Sequence, residues 1–165
     1  MSKKIVLAAI LALALAGCTS VLSNRIVQEA DDKIAFSDLQ KQPERYRGAV
    51  VILGGQIVET VVKESETWVQ VLQLPLGPQH RPDNTASSQG RFLVIYKRFA
   101  DPLVYEKGRK ITVAGEVQGG RVMMLNNAGY NFPVLLERET HLWKAEDCQG
   151  YRPGPAFQFG IGIGR

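Results

Sequence analysis

A chain of 165 residues, 45% of them hydrophobic and 22% charged, is long enough to bury the core of one domain. Its formal net charge of +4 falls to +2 once Lys3 and Lys4 are set apart with residues 1–17, and 148 residues remain. The other basic residues are interleaved with acids, as in Lys63-Glu64-Ser65-Glu66 and Glu137-Arg138-Glu139, so charge gives no case for a nucleic-acid stripe or a basic membrane patch.

The chain opens Met1-Ser2-Lys3-Lys4 and then runs apolar from Ile5 to Ala16. Two lysines, about a dozen apolar residues and small residues at the end have the form of a secretory leader, well short of the roughly 20 apolar residues that span a bilayer. Its ending, Leu15-Ala16-Gly17-Cys18, resembles the lipobox of bacterial lipoproteins. That resemblance implies cleavage between Gly17 and Cys18, with S-diacylglycerol and N-acyl groups on Cys18; the alternative is an ordinary secreted protein with a chance cysteine there. One acyl chain binds a bilayer only marginally, whereas two or three anchor stably. Thr19, rather than Asp, follows the cysteine, which by the sorting rules of such lipoproteins implies the outer membrane. With Cys18 consumed, Cys148 has no partner in the chain and is expected to be an inert, partly buried thiol; pairing between two chains is the sharper alternative.

Residues 18–33, polar and including Asp31-Asp32-Lys33, are expected to form the lipidated amino terminus and a tether. A short helix follows, with Ser37 as N-cap, Gln40 completing the capping-box spacing and Gly48 closing it. Strands are then predicted over 49–58, with a bulge or bend at Gly54-Gly55, over 67–74 up to Pro75, and over 91–97. Asp101-Pro102-Leu103-Val104-Tyr105-Glu106 is predicted as a short helical turn. The 110–118 strand alternates Ile111, Val113, Gly115 and Val117 against Lys110, Thr112, Ala114 and Glu116. Gly119-Gly120 is predicted as the hairpin turn toward 122–125, and 132–143 as the last strand, with Pro133 near its start. Five main strands with a helical turn between the third and fourth give a mainly β, small OB-fold-like barrel over residues 34–147. The loop over 74–90 is long enough to be either functional or disordered, and the Gly-rich, alternating tail over 148–165 could add a strand to an edge or lie loose against the membrane, with flexibility the favoured expectation.

Several phrases together resemble the Slp family, starvation-inducible outer-membrane lipoproteins of Gram-negative bacteria. They are Tyr46-Arg47-Gly48, Leu53-Gly54-Gly55-Gln56-Ile57, Val71-Leu72-Gln73-Leu74-Pro75-Leu76, Ser88-Gln89-Gly90-Arg91-Phe92 and Asp101-Pro102. Tyr105-Glu106-Lys107-Gly108-Arg109, Ile111-Thr112-Val113-Ala114-Gly115 and Leu142-Trp143 extend the likeness to roughly 36–143. Asn131-Phe132-Pro133 departs from it, since family members often carry a second tyrosine before the proline. The resemblance implies a lipid-anchored outer-membrane protein facing the periplasm, with an envelope-maintenance or starvation role. It implies no catalytic residue, and only Cys18 takes a role from it.

The residues themselves offer no G-x-S-x-G elbow, phosphate loop or H-E-x-x-H. His80, His141 and Cys148 lack metal-ligand spacing, so no metal, cofactor or enzymatic activity is expected. Asp31, Asp32 and Glu44 are expected to be solvated or to serve helix dipoles. On an OB-like face, Trp68, Phe92 and Tyr96 with Lys97 and Arg98 would suit nucleic acid, but core or rim packing of Trp68, Phe92 and Trp143 is favoured, and no nucleic-acid partner is expected. Two readings stay open: an envelope protein contacting another through the 74–90 loop, and a binding module for a glycan or small ligand on the barrel face. An exposed Trp68 cluster would favour the second, a buried Trp68 the first.

Overall fold

The computed structural model describes residues 20–83, 88–125 and 128–144. The leader, the Gly17–Cys18 junction, Cys148 and the 148–165 tail lie outside them. Five strands, β1 Val50–Val62, β2 Thr67–Leu74, β3 Arg91–Tyr96, β4 Lys110–Leu125 and β5 Ala128–Leu142, close into a barrel in the order β1-β2-β3-β5-β4. Only the β3–β5 seam is parallel, over Leu93–Ile95 against Val134–Leu136. A five-stranded closed barrel in that order is an OB-fold, as expected from the sequence. One helical turn between β3 and β4 is present, closed by the Tyr105 N–H on the Asp101 carbonyl at 2.8 Å.

Alternation fills the barrel. Val51, Leu53 and Ile57 from β1, Val69 and Val71 from β2, Phe92, Val94 and Tyr96 from β3 and Ile111, Val113 and Val117 from β4 form one buried cluster, plugged by Phe36 and Leu39. At about 25 cal/mol per Å² of apolar surface removed from water, this cluster is the main source of stability. Tyr96 carries a hydroxyl into the core and is fully buried there. Its oxygen meets Thr140 Oγ1 at 3.0 Å, and burial drives its ionisation far above the usual phenol range.

Four details differ from the sequence reading. Gly54 and Gly55 are not a bulge: both pair in register with β2 and with β4. A Cβ on Gly55 would lie 2.0 Å from the Leu72 carbonyl oxygen, so glycine is required where β1 serves both halves of the barrel. The bulge sits between Ile57 and Glu59 instead. Gly119-Gly120 is not the hairpin turn. β4 continues through a second bulge there, with Gly119 at φ +100°, and its last pair with β5 is Leu125–Ala128. The helix is Phe36–Lys41, capped at Ala35 without a side-chain bond, and not at Ser37; a 3₁₀ turn, Pro43–Tyr46, follows. Finally, the segment expected as a tether holds a helix, α1 Asn24–Glu29, with Ser23 as its N-cap. Leu22 and Ile26, four residues apart, are buried with Val50 and Ala114 on the outside of β1 and β4. The polar residues between them conceal that apolar spacing.

Candidate functional site

Beyond the Gly119 bulge, the β4–β5 hairpin leaves the barrel wall and arches over the outer face of β2 and β3. The 3₁₀ turn fixes its root: Glu44 Oε1 accepts the Gly120 N–H at 2.8 Å, and Arg47 pairs with the same carboxylate. The Gly120 amide, and secondly the Arg47 guanidinium, hold the Glu44 carboxyl below the usual carboxylate range. Phe132 and Tyr130 of β5 pack with Trp68, Leu93, Ile95 and Val134 in a small apolar cluster outside the barrel. Tyr130 Oη also accepts the Arg91 N–H at 2.7 Å.

Between this hairpin and the β1–β2 wall lies a groove of about 410 Å³, lined by Glu59, Val61, Lys63, Trp68, Gln70, Leu93 and Arg121–Met123. Cross-strand register explains the composition, because Glu59 lies opposite Gln70 and Val61 opposite Trp68, all on the outer face. The floor is the Trp68 indole. Lys63 Nζ stands 3.4 Å and Arg121 Cζ 4.5 Å from its centroid, both in cation–π range. Trp68 Nε1 donates to Glu66, whose other oxygen takes Lys97 at 2.7 Å. The Lys97 ammonium, and then the indole N–H, hold the Glu66 carboxyl below its usual range.

The aromatics weighed for nucleic acid do not share a face. Phe92 and Tyr96 are fully buried in the core, Trp68 lies outside it at 9% exposure, and Trp143 belongs to the β4 side. Lys97 is engaged by Glu66, and Arg98 is engaged by Glu137 at 3.0 Å with its guanidinium over the Tyr96 ring. No platform of successive bases can stack there. Arg121, which joins Trp68 in the groove from 53 positions later, was missed because its place depends on the hairpin continuing past Gly119-Gly120.

The opposite side of the ring, the outer face of β1 and β4, is closed by local chain. The described part of the 74–90 loop is strapped onto β4, not extended toward a partner: Thr112 Oγ1 donates to the His80 carbonyl at 2.7 Å, and Lys110 Nζ to the Pro82 and Asp83 carbonyls. His80 Nδ1 and Ser20 Oγ are bonded at 2.9 Å. Thr112 Oγ1 also accepts Trp143 Nε1 at 2.9 Å, and His141 stands edge-on to that indole. His80 and His141 are thus brought to one neighbourhood around Thr112. Among the described residues no three His, Cys, Asp or Glu side chains are grouped to hold a metal. Asp31 serves its own turn by accepting the Lys33 N–H, and Glu44, expected as a solvated or dipole-serving carboxylate, is the clamp of the hairpin.

A family model described as the outer membrane lipoprotein Slp family matches residues 15–161. Outer membrane protein Slp of Escherichia coli is 28% identical to this chain over 134 residues, 81% of the chain and 71% of that protein. An uncharacterized protein of Haemophilus influenzae is 30% identical over 118 residues, 71% of the chain but only 64% of the relative's length. Among solved structures, the mitochondrial single-stranded DNA binding protein Rim1 of S. cerevisiae gives a TM-score of 0.37 at 13% identity, covering 58% of this chain and 94% of that one. A small single-stranded DNA-binding protein of Streptomyces coelicolor gives 0.40 at 11%, covering 60% and 97%. The barrel assignment rests on strand order and not on these scores.

Proposed function

The chain belongs to the outer membrane lipoprotein Slp family, and from that premise we propose that it is anchored through lipid on Cys18 and presents the Trp68 groove to the periplasm as a non-enzymatic recognition surface for another envelope component, in an envelope-maintenance or stress role. The observation that carries this reading is the placement of the two faces. Ser20, two residues after Cys18, is bonded to His80 on the β1–β4 side, and two extended residues reach only about 7 Å. Lipid on Cys18 therefore holds that side close to the bilayer. The groove floor, Trp68 and Gln70 of β2 and Leu93 of β3, lies across the ring from the β1–β4 seam, which supports a groove turned away from the membrane.

The groove's polar lining, Glu59, Lys63, Gln70 and Arg121, contains no nucleophile with a base beside it, which supports recognition over catalysis. Trp68 is 9% exposed with two cations over its ring, leaving little π-surface for a sugar to stack on, and this favours a protein partner over a glycan. Intact mass and membrane fractionation test the anchor. Wild-type protein is expected to carry lipid mass on an amino-terminal Cys18 and to fractionate with the outer membrane, whereas Cys18→Ala leaves an uncleaved or mislocalised precursor. Normal processing and fractionation of that variant would overturn the reading.

A further inference from the structure

The hairpin that roofs the groove has a strand edge that nothing in the barrel covers. β1 pairs with β4 only as far as Val50–Glu116, while β4 runs on to Leu125. The Gly120 N–H points away from β5, since it is taken by Glu44, and Gly120 lies opposite Pro133, which has no N–H. Strand alternation then sends the backbone groups of Val122 and Met124 outward as well. Neither makes a backbone bond beyond its own ladder among the described residues. Their side chains are 72% and 71% exposed. Natural barrels close their edges or blunt them with charge or proline, because a bare apolar edge invites a further strand. Among the described residues no strand pairs with the edge at Val122–Met124, and its side chains are apolar.

Charge along this edge is predominantly positive. Lys63 and Arg121 flank Trp68, and the adjoining groove beneath Met123–Leu125 adds Arg91 and Lys107. None of the four joins an ion pair among the described residues, and Glu59 is the one acid lining either groove.

We propose that the free β4 edge at Val122–Met124 takes up an extended, acidic segment of a partner protein as an added strand, its carboxylates meeting Lys63 and Arg121 and its apolar residues meeting Val122 and Met124. This rests on the groove being the recognition face. Backbone bonds along the edge supply affinity, and side chains on alternate positions supply selection. A second copy of this chain is the poorer occupant, because pairing two such edges brings Arg121 and Lys63 of both copies together.

The test uses the full lipidated chain in detergent micelles and three probes: an extended peptide alternating Glu with Val, the same peptide with Lys for Glu, and an acidic oligosaccharide of matched charge. Binding is read by titration calorimetry at two salt concentrations. The Glu–Val peptide is expected to bind, more weakly at high salt, with Lys63→Gln/Arg121→Gln reducing affinity roughly tenfold or more. Met124→Pro, which leaves the β5 ladder intact because its N–H points outward, is expected to cause a comparable loss. Failure of the Glu–Val peptide to bind up to about 1 mM, equal binding of the Lys peptide, or undiminished binding by Met124→Pro would each overturn strand addition. Preference for the oligosaccharide would assign the groove to a glycan instead, and concentration-dependent dimerisation that excludes the peptide would assign it to a second copy. Any of these results leaves the Cys18 anchor, tested by mass and fractionation, standing separately.

Discussion

The two tryptophans stand on opposite sides of one barrel, each under an arginine, yet their surroundings have little else in common. Trp143, with Arg81 5.4 Å from its centroid, donates its N–H to the buried Thr112 hydroxyl, which itself donates to the 74–90 loop. Trp68, under Arg121, donates to a carboxylate at the surface, below a hairpin whose tip is exposed. On the β1–β4 side, polar groups are satisfied within the chain and apolar ones are covered by residues 20–30. Across the ring, among the described residues, Lys63 and Arg121 join no ion pair and the β4 edge at Val122–Met124 has no neighbouring strand. The difference separates a face finished by its own sequence from one that a second molecule would complete, and substitutions on the two faces should have opposite consequences.

The largest effect is expected on the finished face. Ile26→Ala empties a site that is 6% exposed among Leu22, Val50 and Ala114, and should cost about 2–4 kcal/mol of unfolding free energy. Chemical denaturation checks this. A loss below about 0.5 kcal/mol would mean that α1 is only loosely seated and would return residues 20–33 to the role of a tether.

Thr112→Val comes next. It keeps the side-chain shape but strands the Trp143 N–H and the His80 carbonyl, at a cost of about 1–3 kcal/mol. Emission of Trp143, isolated by Trp68→Phe, should shift as the loop over 75–83 loosens. A neutral substitution would show that the loop is held by Lys110 alone.

The barrel was legible because its strands obey a period of two, and because a turn between the third and fourth strands belongs to one small fold. The site was legible only in part. Trp68 could be named, but not its position outside the core, since the sign of the alternation at 67–74 depends on which neighbours β2 has. Val69 and Val71 face inward, which sets Trp68 and Gln70 outward. Arg121 was hidden by reading Gly119-Gly120 as a turn, when the same glycines serve a bulge that re-aims the hairpin. The docking of residues 20–30 was hidden because five apolar side chains, Val21, Leu22, Ile26, Val27 and Ala30, interspersed with polar and charged ones, look like a linker until there is a surface for them to cover.

The smallest expected effect concerns pH, and it separates the faces by their carboxylates. Glu44 holds the root of the hairpin and Glu66 holds the Trp68 indole, and both carboxyls are depressed by the bonds they accept. A depressed carboxyl contributes stability that is present above its unfolded value and is lost as pH falls through the folded one. Acidification from neutrality should therefore leave the groove unchanged down to the ordinary carboxylate range. Below it, the hairpin root and the indole should be released while Trp143 still reports a closed β1–β4 face. In a Trp143→Phe background, Trp68 emission should follow this step, and Glu66→Gln should abolish it; Glu44→Gln should instead raise amide exchange in the hairpin at neutral pH. Glu44 is exposed, so solvent screening keeps its change local, while Glu66 is half-buried beside the indole it holds. If both tryptophans titrate together with global unfolding, the two faces form one cooperative unit, and the groove is no looser than the side that its own chain has closed.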